Sequence, residues 1–226
     1  MTGSTVRDVY RDRIYENEGI PALVALVDPV YRRVLDVGCG NGANMALLVA
    51  GGRQVVGETL SFAEATAVRL QGLACVVRDI SPGGLTFRPA SFDALVFSHV
   101  LEHLPFPDRV LRRYVELVRP GGGVYVALPN TLHLVQRWWF LRGRFEYTET
   151  GLMDRTHLRF FDFRTARELV EGAGLEVVDH RGVGQCPMGP LREAAPELCR
   201  RVDAWTSRHW PALFSIHMIV VGRRPG

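Results

Sequence analysis

The sequence contains no lysine, so all 27 of its basic residues are arginine. That excludes chemistry built on a lysine Schiff base or a lysine nucleophile. Cysteine is sparse. Cys39, Cys75, Cys186 and Cys199 stand far apart with no CxxC pair, which predicts free thiols in a reducing compartment rather than a zinc knot or disulfide frame. No apolar run reaches the ~20 residues that span a bilayer, and no basic-then-apolar leader opens the chain. A cytoplasmic protein with no membrane partner is expected. The formal charge of +3 is too small to point to nucleic acid. What remains is 226 residues, 47% hydrophobic, with no repeat or linker, so a single domain over 1–226 is expected.

The most informative stretch is Val34-Leu-Asp36-Val-Gly38-Cys39-Gly40-Asn-Gly42. An apolar run ends beside an acid, and glycines follow at every second position. This predicts a buried strand, a tight loop and a helix from Ala43. Glycines admit positive φ and let a ligand approach without a Cβ in the way, while free N–H groups of the following helix face the loop. Gly-Lys-Ser/Thr is absent, which excludes a triphosphate loop, and the G-x-G-x-G spacing differs from the dinucleotide G-x-G-x-x-G.

The pattern resembles motif I of the class I S-adenosylmethionine (SAM)-dependent methyltransferases. Three more stretches are similar to that family. Ser98-His99-Val-Leu-Glu-His103-Leu leaves the Phe92–Phe97 strand, Leu117-x-Arg-Pro-Gly-Gly leads into a Val124–Leu128 strand, and Gly151-Leu-Met-Asp154-Arg-Thr-His157-Leu-Arg-Phe-Phe161 resembles a segment of small glycan and natural-product methyltransferases. The resemblance implies a Rossmann-like α/β fold. Its seven-stranded, mostly parallel sheet has the order 3-2-1-4-5-7-6, the last strand antiparallel, and helices on both faces.

It also implies SAM as cofactor, S-adenosylhomocysteine as product, and a set of contacts. Asp36, Gly38, Cys39, Gly40 and Gly42 form the loop around the methionine part. Either Glu58 or Thr59 meets the ribose, because Thr59 holds the place of the family's acid and Glu58 sits one position early. Asp79 and Ile80 hold the adenine, and Ser98 lines the pocket. Residues 1–30 form an N-terminal helical cap, as a lid closing Tyr10 over the cofactor or as a helix merely docked on the domain. His157, oriented by Asp154, is the first candidate for a base and His99 the second, since an imidazole can take a hydroxyl proton at neutral pH. Asp154 and His157 have no third ligand nearby in the sequence, so no metal site is expected.

The insertion at 130–160 interleaves Trp138, Trp139, Phe145 and Tyr147 with Arg137, Arg142 and Arg144. It reads as a substrate cap or a dimer patch, in a monomer or homodimer, and the overall charge disfavours a nucleic-acid surface. Thr165-x-x-Glu168 reads as a capping box, and a helix over 196–207 is expected to turn Leu198, Val202 and Trp205 inward. The acceptor expected is a small molecule, first a hydroxyl of a sugar or secondary metabolite, with nitrogen or carbon as the alternative. A SAM-binding partner protein without catalysis is the other class.

Overall fold

A computed structural model of the protein describes residues 18–81, 85, 87–184 and 186–226. The helix expected over 5–17, with Tyr10, lies outside the described residues. Seven strands, β1 (Arg33–Val37), β2 (Gln54–Thr59), β3 (Ala74–Val77), β4 (Phe92–Ser98), β5 (Val118–Pro129), β6 (Glu176–Val183) and β7 (His217–Arg223), form one sheet. Its order is β3-β2-β1-β4-β5-β7-β6. The first five strands are parallel, and β7 runs antiparallel between β5 and β6. The expected architecture is the one found.

Side chains alternate between the two sheet faces, and β1 shows the consequence. Val34 packs with Leu23 of α1 (Pro21–Val24), Met45 and Leu48 of α2 (Ala43–Ala50), and Ala65 and Val68 of α3 (Phe62–Leu70). Leu35 and Val37 join the other core, with Leu111 and Tyr114 of α4 (Pro107–Val115) and Val170 of α6 (Phe163–Gly172). Apolar residues on both faces of the central strands fit a parallel sheet covered on both sides. Asp36 falls on the Val34 face, buried in a layer that is otherwise apolar.

Several local expectations need correction. The Arg119-Pro-Gly-Gly-Gly run does not precede β5 but belongs to it, with a register slip opposite Phe92 and Ala94. Arg119 Nε donates to Asp93 Oδ1 at 2.7 Å and secures that irregular end. The capping box of α6 is formed by Asp162 and Thr165, so Glu168 is not its partner. Helix α8 (Pro196–His209), which follows the short α7 (Leu191–Ala194), buries Cys199, Thr206 and Ser207, while Leu198 and Trp205 face solvent. A strand could be read from Phe214 on, but Phe214 ends the short α9 (Pro211–Phe214), and β7 begins at His217.

In the insertion, α5 (Leu134–Leu141) buries no residue. Trp138, Leu141, Phe145 and Tyr147 are more than half exposed, with Arg142 over the Trp138 ring and Arg144 over that of Trp139. Among the described residues, no helix is long and apolar enough to cross a membrane.

Candidate active site

Ligands of open α/β sheets sit beyond the carboxyl ends of the strands, where the strand order reverses. Here that point lies between β1 and β4, and a cavity of about 730 Å³ opens there. Its walls include Gly38, Cys39 and Gly40 after β1, Glu58 and Thr59 ending β2, and Asp79 and Ile80 after β3. Ser98, His99 and Glu102 follow from β4, Asp154 and His157 from the insertion, and His217 from the start of β7. Nearly every residue singled out in the sequence therefore faces one space. Of the described residues assigned to cofactor or catalysis, Asp36 and Gly42 do not line it.

The glycine loop owes its shape to three positive φ values: 72° at Gly38, 54° at Gly40 and 85° at Gly42. Its first turn hangs on β2, since Gly38 N and Cys39 N both donate to the Glu58 carbonyl, at 2.7 and 2.9 Å. Gly38 also lies against the segment leaving β4, and a Cβ there would fall 2.3 Å from Val100 Cγ2. The cofactor loop and the β4 turn are thus fitted to one another.

At the end of β2 the two candidate residues point to different partners. Glu58 accepts a hydrogen bond from the Tyr114 hydroxyl at 2.8 Å. Burial, with Glu58 beside it, pushes that phenol well above its ordinary range. Thr59 donates to Glu64 Oε2 at 2.5 Å, and Ser61 caps α3 by accepting from Glu64 N. Glu64 is buried and borders the cavity. The sequence reading missed it, because Ser61-x-x-Glu64 reads as a helix start. Asp79 borders the cavity and accepts from Ser81 N at 2.9 Å, so it also fixes its own turn.

The acceptor end holds a cluster the sequence only half revealed. Glu102 is fully buried in a 3-10 turn (Leu101–His103), and its Oε1 lies 3.0 Å from His99 Nδ1. Burial alone would raise the Glu102 pKa, but the His99 hydrogen bond and the charges of His99 and His103 outweigh it and hold the carboxyl below its ordinary range. An ionised carboxylate only accepts, so His99 Nδ1 donates to it, and in the neutral ring the lone pair lies on Nε2. Nε2 is buried with no hydrogen-bond partner among the described residues. His99 has a φ of 55°. That backbone costs a non-glycine residue about 1–3 kcal/mol. The His217 ring packs edge-on against it at 4.8 Å. Burial and the neighbouring His99 push the His217 pKa down to about 4, so that ring is neutral at pH 7.

The expected Asp154–His157 dyad is not formed. Asp154 Oδ1 accepts from Thr156 N at 2.8 Å and from the Thr156 hydroxyl at 2.6 Å, because a tight turn folds the carboxylate onto its own backbone. His157 Nδ1 faces the Leu152 carbonyl at 3.3 Å instead. Burial lowers the His157 pKa. Of the insertion, Thr150, Gly151, Leu152, Asp154 and His157 line the cavity, and α5 does not.

Comparison with known proteins now carries weight. A family model described as a methyltransferase domain matches residues 10–180. The chain belongs to the class I SAM-dependent methyltransferases. A ubiquinone biosynthesis O-methyltransferase of Paraburkholderia phymatum is 31% identical over 165 residues, 70% of each chain. In fold, the methyltransferase resembles a SAM-dependent methyltransferase from Archaeoglobus fulgidus (TM-score 0.64, 19% identity, 87% of each chain). It also resembles the 1,6-didemethyltoxoflavin-N1-methyltransferase of Burkholderia thailandensis, solved with S-adenosylhomocysteine (TM-score 0.53, 17% identity, 86% of this chain and 71% of that one).

The cavity of this methyltransferase suits SAM. Gly38 and Gly40 leave room for close approach, and both oxygens of buried Asp36 lack a hydrogen-bond partner among the described residues. Burial raises the Asp36 pKa to about 7. The folded SAM-free protein thus keeps a proton that the unfolded chain releases near the ordinary 3.8. Stability falls as pH rises across that window, by about 1.4 kcal/mol per unit and up to about 4 kcal/mol in all. Asp36→Asn is therefore expected to match the wild type in thermal midpoint near pH 4 and to exceed it by several degrees at pH 8. Measuring the difference between the two proteins cancels the opposite slope from buried His217. A constant offset across pH would show that Asp36 is ionised and solvated in the fold.

Proposed function

We propose that this enzyme transfers the SAM methyl group to a hydroxyl of a small organic acceptor, a secondary metabolite before a sugar. The observation that carries this reading is the Glu102–His99 pair: His99 borders the cavity, and its buried Nε2 has no hydrogen-bond partner among the described residues. Leu104, Leu152 and Ile216 give this end of the cavity apolar walls, which suit a ring better than a polyol. The names of the curated relatives, O-methyltransferases of ubiquinone biosynthesis, lend support to oxygen as the acceptor atom.

Bound SAM would supply an electrophilic methyl on a sulfonium. The chain supplies the rest. Asp36 and the 38–42 loop hold the methionine end, Thr59 with Glu64 meets the ribose hydroxyls, and Asp79 with Ile80 takes the adenine. Ser98 borders the reacting centre. His99 Nε2 takes the acceptor proton, and Glu102 orients the ring and stabilises the imidazolium. Asp154 and His157 shape the acceptor's seat. Orientation lowers the barrier by up to about 7–11 kcal/mol at best, and a positioned base adds ~10²–10⁴-fold.

The test is incubation with methyl-labelled SAM and a size-fractionated metabolite extract. Label is expected in a small-molecule fraction, as an O-methyl signal by carbon-13 NMR. An N- or C-methyl signal would overturn the choice of atom. Label in RNA or protein would overturn the substrate class.

A further inference from the structure

We propose that Glu102, His103 and His157 form a site for one divalent transition-metal cation at the acceptor end of the cavity. The sequence argues against a metal because Asp154 and His157 have no third ligand near them. The fold supplies further ligands from the turn after β4. One ligand atom from each of the three residues lies within 4.8 Å of the others.

The supporting hydrogen bonds are those of a ligand set. Glu102 is fully buried, its Oε1 is engaged by His99, and its Oε2 has no hydrogen-bond partner among the described residues. His157 Nδ1 faces the Leu152 carbonyl at 3.3 Å, and His103 Nδ1 faces the Thr156 carbonyl at 3.3 Å. Carbonyls only accept, so each ring donates from Nδ1, and in its neutral form Nε2 is the nitrogen left to ligate a cation. The Thr156 hydroxyl, 3.1 Å from His103 Nδ1, gives its own proton to Asp154 Oδ1 and stays an acceptor toward that ring. Metal-binding histidines are held in this way, the second ring nitrogen donating to a carbonyl or carboxylate. The two rings stand 4.8 Å apart at 69°, edge to face rather than stacked.

Two imidazoles and one carboxylate suit zinc and its neighbours, with a further position left open. Ligand atoms around one tetrahedral zinc lie about 3.4 Å apart, so binding draws these three together by small rotations of the rings. All three residues line the cavity, so the open position faces the acceptor. An acceptor hydroxyl bound there would lose its proton more readily, beside the His99 that shares Glu102. The cation site itself does not depend on the methyl-transfer reading.

Chelator-stripped protein, without SAM, would be titrated with Co2+ and followed by its visible absorption, then with Zn2+ in competition. One equivalent is expected to bind, with the intense bands of a tetrahedral or five-coordinate cobalt site. His157→Ala and Glu102→Gln are expected to weaken binding at least about hundredfold. Thr156→Val, which leaves all three ligands and removes a buttress, should weaken it about 10–100-fold. Circular dichroism would identify any variant that fails to fold, and Thr156→Val then carries the test. Absence of stoichiometric binding, or binding that the folded variants retain, would overturn the site and leave the labelled-SAM assay unaffected.

Discussion

Replacing His99 with alanine is expected to slow methyl transfer by about 10²–10⁴-fold, the contribution of a positioned general base, while SAM affinity changes little. The expectation rests on three observations at one residue. Its Nδ1 is held by a fully buried carboxylate, its Nε2 has no partner among the described residues, and its backbone is kept at a φ of 55°. Turnover and SAM binding should be measured on His99→Ala and His157→Ala side by side. Should His157→Ala lose turnover while His99→Ala keeps it, the proton passes to His157 and the Glu102–His99 pair is structural. Glu102→Gln should fall in the same direction as His99→Ala, because a neutral amide cannot stabilise the imidazolium.

The second large effect lies at Gly38. Alanine there is expected to weaken SAM binding by at least about a hundredfold. The added Cβ would meet Val100 Cγ2 at 2.3 Å, and φ at Gly38 is 72°, where an L side chain is strained. Left-handed backbone costs roughly 1–2 kcal/mol, and steric overlap adds to it. Relief requires the glycine loop or the β4 turn to move. Either shift damages the site, so kcat should fall as well. Calorimetry of SAM binding gives the first number and turnover the second. Val100→Ala in the same protein removes the two nearest clashing methyls and leaves the strain, so the deficit should shrink to about 5–30-fold, the equivalent of 1–2 kcal/mol. An unrescued double variant would mean that the overlap is not what disables Gly38→Ala. A Gly38→Ala protein that binds SAM normally would remove the cofactor from this loop.

The cofactor side was legible because its signal is local. Three glycines at alternate positions are conspicuous in a sequence, and all three take positive φ. The acceptor side was not, for reasons that differ by residue. Glu102 follows His99 by three positions, but it sits in a 3-10 turn (Leu101–His103) that no local pattern in the sequence announces. Asp154 and His157 are close in sequence, yet the turn folds the acid onto Thr156. Glu64 looks like a helix-start residue, and its position beside Thr59 follows from the strand-to-helix angle. His217 carries no local signal, since only the sheet order sets the start of β7 against the end of β5, within ring contact of His99 after β4. Inward-facing positions on α8 were misread because that helix meets the body through small and polar residues.

The placement of β7 has a consequence for how the molecule comes into being. This strand is the last in the chain, yet it is inserted between β5 and β6, pairing with both. A chain emerging from the ribosome can fold its glycine loop and its first five strands before β7 is made, since those strands pair with one another without it. His217, however, arrives only when residues 217–223 have emerged and threaded the gap. Until then β5 and β6 present open edges to other nascent chains. Competence to hold SAM and competence to seat an acceptor are therefore acquired at different moments of synthesis, and the second waits for β7.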